Sequence, residues 1–267
     1  MLLVTSTKVN EFITFAHELA EASGNIVRRY FRRTLTLESK DEERFNPVTQ
    51  ADRESEAVMR EMIEERFPTH AILGEEQTDT NRGASMRWIL DPIDGTRSFV
   101  MGLPLWGTLI ALYDGNTPLL GIMNQPFIEE RFEGSAGGSF HLRGGMRTPL
   151  KTRGCRNIRE AVLGATDPAM FSGQIFGNLA ERVKMRRFGG DCYLYCALAA
   201  GWLDTIVEAD LRHYDVLPLV PIVEGAGGII TDWNGKPFSC ETEGEFRTVA
   251  TGDIHLHRTI LKILEDS

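Results

Sequence analysis

The stretch Trp88-Ile89-Leu90-Asp91-Pro92-Ile93-Asp94-Gly95-Thr96 starts as an apolar run and ends in two carboxylates, Asp91 and Asp94. A short apolar run bounded by turn residues reads as a buried strand, so the fold has to carry Asp91 to that strand's carboxyl end. Pro92 stiffens the turn, and Gly95-Thr96 allows backbone N–H groups to face outward near the start of a helix. The same residues would also suit a plain turn followed by a helix cap, because Asp-Gly is a common turn pair. The rest of the chain has to decide between the two.

The first element is an amphipathic helix with apolar residues at Val9, Phe12, Ile13, Ala16, Leu19 and Ala20, interrupted by Glu11, His17 and Glu18. Its polar breaks exclude a signal peptide, and no later run is long enough to span a membrane. Arg28-Arg29 with Arg32-Arg33 reads as a solvated helix end. Arg44-Phe45-Asn46-Pro47-Val48-Thr49 reads as a turn leading into a charged helix from about Ser55 to Phe67, with Val58, Met62 and Ile63 inside and Pro68 as its stop. Ala71-Ile72-Leu73 is a short strand ending in Gly74-Glu75-Glu76.

From Leu105 to Gly145 short strands and tight turns alternate: Leu109 to Tyr113, Pro118 to Met123, then Gly137-Gly138-Ser139. Beyond Pro149 strands and helices alternate. The strands are Ala161 to Ala165, Lys184 to Phe188, Asp204 to Ala209 and Ile229 to Asp232. Helices run from about Ser172 to Glu181 and Asp191 to Ala200, and another starts at Asp215, with Pro218 tolerated and Pro221 expected to kink it. This pattern predicts a layered α/β architecture with two subdomains, residues 1–148 and 149–267.

At 267 residues with 42% hydrophobic content the chain can bury a sizeable core, and its net charge of -9 argues against a nucleic-acid or anionic-membrane partner. Cys155, Cys192, Cys196 and Cys240 lack zinc-ligand spacing. Cys192 and Cys196, one helical turn apart, fit core packing, and reduced thiols fit a cytoplasmic compartment.

Three more acids stand where an element begins or ends: Asp52, Glu75 and Asp215. Each alone is a helix cap or a solvated loop residue. If they converge with Asp91 and Asp94, mutual repulsion raises their pKa values unless cations lie between them. An all-oxygen donor set favours magnesium or manganese over zinc. A pair of carboxylates acting as a glycosidase's acid and nucleophile would not cluster around phosphate-binding amides.

Gly74-Glu75-Glu76, Asp91-Pro92-Ile93-Asp94-Gly95-Thr96 and Tyr214-Asp215, followed by Glu224-Gly225-Ala226-Gly227-Gly228, resemble the signatures of the inositol monophosphatase-like family. The resemblance runs from the first helix to the last strand. It implies an αβαβα sandwich of the inositol monophosphatase and fructose-1,6-bisphosphatase type, hydrolysis of a small phosphate monoester with two or three magnesium ions per site, and a homodimer. It implies further that Glu75, Asp91 and the carbonyl of Ile93 hold one magnesium, and that Asp91, Asp94 and Asp215 hold a second. Glu75 with Thr96 would activate the attacking water, Gly95 and Thr96 amides would hold phosphate oxygens, and Asp52 would support the metal site from its outer shell.

The same resemblance places Gly189, Gly190, Asp191 and Glu208 beside the organic part of the substrate, together with Asp94 and Asp215. Asp191 departs from the small residue expected in inositol-hydrolysing members, and an extra carboxylate favours a cationic substrate over a neutral polyol. With Gly102-Leu103-Pro104-Leu105-Trp106-Gly107-Thr108-Leu109-Ile110, Asn124-Gln125-Pro126 and Arg187-Phe188-Gly189-Gly190-Asp191-Cys192-Tyr193, the chain resembles the histidinol-phosphate phosphatase branch. Asp191 could instead cap its own helix and Trp106 could be core. The alternatives are an inositol or broad sugar-phosphate phosphatase and, in another class, a regulatory or binding protein on the same fold.

Overall fold

The computed structural model describes residues 6–33, 38–39, 47–171, 175–242 and 244–266. Helix α1 (Ser6–Tyr30) is followed by a two-residue antiparallel pair, β1 (Glu38–Ser39) with β2 (Pro47–Val48), and by helix α2 (Gln50–Arg66). A seven-stranded sheet then runs in sequence order: β3 (Ala71–Gly74), β4 (Met86–Asp94), β5 (Gly107–Asp114), β6 (Thr117–Gln125), β7 (Glu130–Ser135), β8 (Gly138–Arg143) and β9 (Met146–Pro149). β3 and β4 are parallel, the other neighbours antiparallel, and α3 (Thr96–Val100) sits between β4 and β5.

The remainder of the chain adds β10 (Val162–Ala165), α4 (Ile175–Ala180), β11 (Met185–Phe188), α5 (Asp191–Ala199), β12 (Thr205–Leu211), α6 (His213–Val216), α7 (Val220–Gly225), β13 (Ile229–Asp232), β14 (Phe246–Thr251) and α8 (Ile254–Glu265). Its five strands form a second sheet in the order β11-β10-β12-β14-β13, parallel between β11, β10 and β12 and antiparallel across β14.

Alternation along the strands sets the layers, because successive side chains of a strand point to opposite faces. Trp88 and Leu90 of β4, with Ile110 and Leu112 of β5, pack against Phe12, Phe15, Leu19, Met59 and Ile63 of α1 and α2. Ile89, Leu109 and Ala111 face the other way, onto Cys192, Tyr195 and Cys196 of α5 and Val220 and Ile222 of α7. Those helices also cover Ile206, Ile230 and Ala250 of the second sheet, whose far face packs Leu163, Val207 and Val249 on α4 and α8. The result is the αβαβα sandwich, with α5 and α7 as its central layer. One sheet closes at Pro149 and the other opens at Val162.

Several local expectations are corrected. α2 begins at Gln50, five residues before Ser55, because Thr49 and Asp52 form a capping box in which Asp52 Oδ2 accepts from Thr49 N at 2.9 Å. Its inner face is Met59 and Ile63 together with Ser55, Glu56 and Arg60, whereas Val58 and Met62 are only half-buried. The chain after Asp215 does not form one kinked helix. It breaks after Val216 and restarts at Val220, with Pro221 in the first turn of α7, where a missing N–H costs nothing. The Arg44-Phe45-Asn46 part of the expected turn and the Ser172 start of α4 lie outside the described residues. All four cysteines are free thiols, Cys192 and Cys196 buried, and no helix among the described residues is long and apolar enough to cross a membrane.

Candidate active site

In a regular strand Asp91 and Asp94 would project to opposite faces, their separation being odd. β4 avoids this with a bulge: Asp91 pairs with Leu109 and Asp94 with Gly107, three steps on one strand against two on the other. The turn is held from within. Ile93 N donates to Asp91 Oδ1 at 3.0 Å, and Thr96 Oγ1 donates to the Ile93 carbonyl at 3.0 Å. Thr108 Oγ1 donates to the Pro92 carbonyl at 2.9 Å. Gly95 then turns left-handed (φ 85°) to start α3, and a Cβ there would come within 3.1 Å of the Asp191 carboxylate.

Asp215 arrives from the second half of the chain. Its Oδ2 accepts from Arg212 N at 2.7 Å, which fixes the short α6. The α6–α7 break behind it is anchored by Tyr113, whose hydroxyl donates to Leu217 O at 2.9 Å. Gly121 and Gly134 let the backbone of this proline-bearing segment lie directly on β6 and β7; a Cβ at Gly121 would strike the Pro218 carbonyl. One ligand atom from each of Asp91, Asp94 and Asp215 then falls within 4.8 Å of the others.

Glu75 lies on the loop after β3, and that loop is pinned by two buried charges on α2. Glu56 pairs with Arg60 at 2.7 Å and accepts from Glu76 N at 2.8 Å and Gln77 N at 3.0 Å. Arg60 reaches the carbonyls of Gln77 at 3.0 Å and Thr78 at 3.2 Å. Glu56 and Arg60 were not among the expected site residues. The available signal was an acid and a base four positions apart on the helical face that carries Met59 and Ile63.

Burial and mutual proximity set the electrostatics of these acids. Burial first, then Glu75, Asp94 and Asp215, push Asp91 well above the usual carboxylate range. Asp94 is raised by burial and by Asp191 and Asp215, and Asp215 is pushed up to about 7 by burial and Glu75. Such a cluster binds protons or cations, and an all-oxygen cradle suits a hard divalent ion of the magnesium type. Asp52 stands apart from the tightest group, its carboxylate accepting from the Thr49 amide and hydroxyl.

On the opposite wall, Gly189, Gly190 and Asp191 all have positive φ (74°, 143° and 43°) as β11 turns into α5. Asp191 does not cap its own helix. Gly190 is the N-cap and makes no side-chain bond, while Asp191 Oδ2 accepts from Ser98 Oγ of α3 at 3.3 Å. Burial raises Asp191 to about 6. Next to it, Cys192 N donates to Asp94 Oδ2 at 2.6 Å, tying α5 to the acid cluster. Glu208 is buried under this wall, held by Thr166 N and Tyr195 Oη, both at 2.7 Å; burial raises it to about 7. Trp106 is fully buried with Phe31, Phe99 and Ile93, as a core residue.

Two sheets between three helical layers, with a carboxylate cradle at a bulged strand end, define a layered α/β protein whose clustered acids could hold a metal ion. The chain belongs to the inositol monophosphatase family, whose model matches residues 8–267, and it is a phosphatase of that family. It is similar to the bifunctional phosphatase IMPL2, chloroplastic, of Arabidopsis thaliana, at 40% identity over 98% of this chain and 77% of that protein. It is also similar to the histidinol-phosphatase of Chlorobaculum parvum, at 32% identity over 87% of this chain and 90% of that one. Among solved structures, an inositol monophosphatase from Zymomonas mobilis matches with a TM-score of 0.84 and 39% identity, covering 96% of this chain and 98% of the other.

Proposed function

We propose that the chain is a magnesium-dependent phosphatase that hydrolyses L-histidinol phosphate to L-histidinol and phosphate, a step in histidine synthesis. The observation that carries the substrate is Asp191, a carboxylate against Gly95 and Ser98 where the organic part of an ester held by the Gly95-Thr96 amides would extend. An ammonium or imidazolium gains from that charge in a partly desolvated site, and a neutral polyol does not. The relative from Chlorobaculum parvum bears the histidinol-phosphatase name and supports the same reading.

Asp91, Asp94, Asp215, Glu75 and the Ile93 carbonyl would hold magnesium, two or three ions per site, which supplies charge to the phosphate oxygens and lowers the pKa of water. Glu75, with Thr96, orients the attacking water and takes its proton. Asp94 is set in place by Cys192 N, and Asp52 holds the start of α2 as outer support. The cradle joins residues of the two proposed subdomains, 1–148 and 149–267; the family resemblance supports a homodimer, and the free cysteines fit a cytoplasmic compartment.

The likeness to the Zymomonas mobilis inositol monophosphatase favours a second reading, an inositol or broad sugar-phosphate phosphatase. A panel of histidinol phosphate, inositol 1-phosphate, fructose 1,6-bisphosphate and an adenosine bisphosphate, with released phosphate as readout, separates the two. The first reading requires histidinol phosphate to have the highest kcat/KM.

A further inference from the structure

A cavity of about 420 Å3 opens between the second half of α1 and the ends of β6 to β9, and it shares no residue with the acid cradle. Arg28 of α1, Arg131 of β7, Arg143 of β8 and Arg147 of β9 all line it. Four guanidiniums around one hollow run against the chain's net charge of -9. Three acids, Glu21, Glu129 and Glu130, line it too, but they match the arginines only in part. Glu130 is buried and divides its carboxylate between Arg143, at 3.1 Å, and the hydroxyl of Tyr193. Glu21 lies 3.5 Å from Arg28 and 3.4 Å from Arg131, beyond the roughly 2.9 Å of a charge-assisted hydrogen bond. Glu129 makes no ion pair among the described residues. Arg147 alone is closely paired with an acid outside the cavity, Glu133 at 2.9 Å.

Arg131 is the most enclosed of the four, its side chain 19% exposed. Its Nε donates to Asn124 Oδ1 at 2.9 Å and its Nη1 to His17 Nδ1 at 3.1 Å, which leaves Nη2 with the long contact to Glu21. Burial lowers the Arg131 pKa from its ordinary value, as expected of a charge short of compensation. An arginine fork takes two oxygens of one phosphate or carboxylate. The forks here stand on two walls, Arg28 on α1 and Arg143 with Arg147 on either side of the Gly144-Gly145 turn. One charged group meets one wall, whereas two adjacent charged groups meet both.

We propose that this cavity is a second ligand site, separate from the catalytic centre, for a small anion of the diphosphate class. Its volume suits a small metabolite.

The test is calorimetric titration of inorganic pyrophosphate into the full chain in EDTA, where the metal-free acid cradle repels anions and only this cavity attracts them. Saturable binding with a Kd below about 1 mM is expected. Arg143→Gln should weaken it about tenfold, the size of one hydrogen bond to a charged group. Glu129→Gln, which removes an acid from the lining, should tighten it about threefold, a gain that structural damage would not produce. Arg258→Gln on α8, outside the cavity, should leave the Kd unchanged. Absence of saturable binding, an unchanged Kd in either cavity variant, or an equal loss in Arg258→Gln overturns the proposal. If Arg143→Gln loses its cooperative melt, Glu129→Gln decides: tighter binding supports the site and an unchanged Kd refutes it. No ester is turned over in this measurement, so its failure and that of the proposed function are separate.

Discussion

Replacing Asp191 by Asn removes one charge and almost no volume, so the close approach to Gly95 and the oxygen that faces Ser98 are both kept. An ammonium about 4 Å from Asp191 gains roughly 4 kcal/mol at an effective dielectric constant of about 20, before the cost of desolvating both groups. Net couplings of close charge pairs begin near ~1.5 kcal/mol, so we take about 1.5 to 3 kcal/mol, or roughly 10- to 100-fold in kcat/KM for histidinol phosphate. Inositol 1-phosphate, which offers no cation, should lose less than about twofold by the same reasoning.

Stability should move the other way. Burial holds folded Asp191 at about 6, above the ordinary aspartate value of 3.8, so the folded state binds the proton more tightly than the unfolded chain does. Asp191 therefore costs stability progressively as pH rises through that window, and at pH 7 Asp191→Asn should melt a few degrees higher. The assay is phosphate release from both esters at pH 7 alongside a thermal melt. A more stable and selectively slower enzyme is expected; equal losses on both esters would refute the charge argument. As Asp191 titrates near 6, the preference for histidinol phosphate in the unaltered chain should also shrink below that pH.

Three further predictions follow from the same geometry. Because Asp91, Asp94 and Asp215 are all raised, the metal-free chain should lose stability as pH climbs from about 4 through about 7, and the melting-temperature gain from magnesium should be larger at pH 8 than at pH 5; an equal gain at both would place the ion elsewhere. Arg60→Met leaves buried Glu56 without its partner, which should cost about 3 to 5 kcal/mol in urea melts and lower kcat through the loop that carries Glu75; a loss under about 1 kcal/mol would show the pair to be dispensable. Gly121→Ala drives a methyl into the Pro218 carbonyl and should weaken magnesium affinity by displacing Asp215, while an unchanged magnesium titration would mean that α6 is positioned by other contacts.

The acid cluster at the end of β4 was legible in the sequence, where an apolar run ends in Asp91 and Asp94. The bulge that turns Asp91 and Asp94 to one side was not legible, since it depends on pairing with Leu109 and Gly107, which no local pattern announces. The early start of α2 is hidden because Gln50 to Glu54 carry little apolar signal, although Thr49 and Asp52 stand at capping-box spacing. Its inner face is hidden for a related reason, since Glu56 and Arg60 are buried as a pair and a charge on a sequence pattern reads as solvent-facing. Two prolines marked the region after Asp215 as irregular, but the contacts that decide where it breaks come from Tyr113, Gly121 and Gly134, far away in the chain.

The proposed role of the three-acid cradle is phosphate release through a divalent cation. Released phosphate from histidinol phosphate, measured across a magnesium titration for the unaltered chain and for Asp94→Asn, tests it most directly. The expected rate rises from near zero with magnesium in the unaltered chain and stays at least about 100-fold lower in the variant, a loss of roughly 2.7 kcal/mol of transition-state stabilisation. A rate independent of magnesium and unchanged by Asp94→Asn would contradict it.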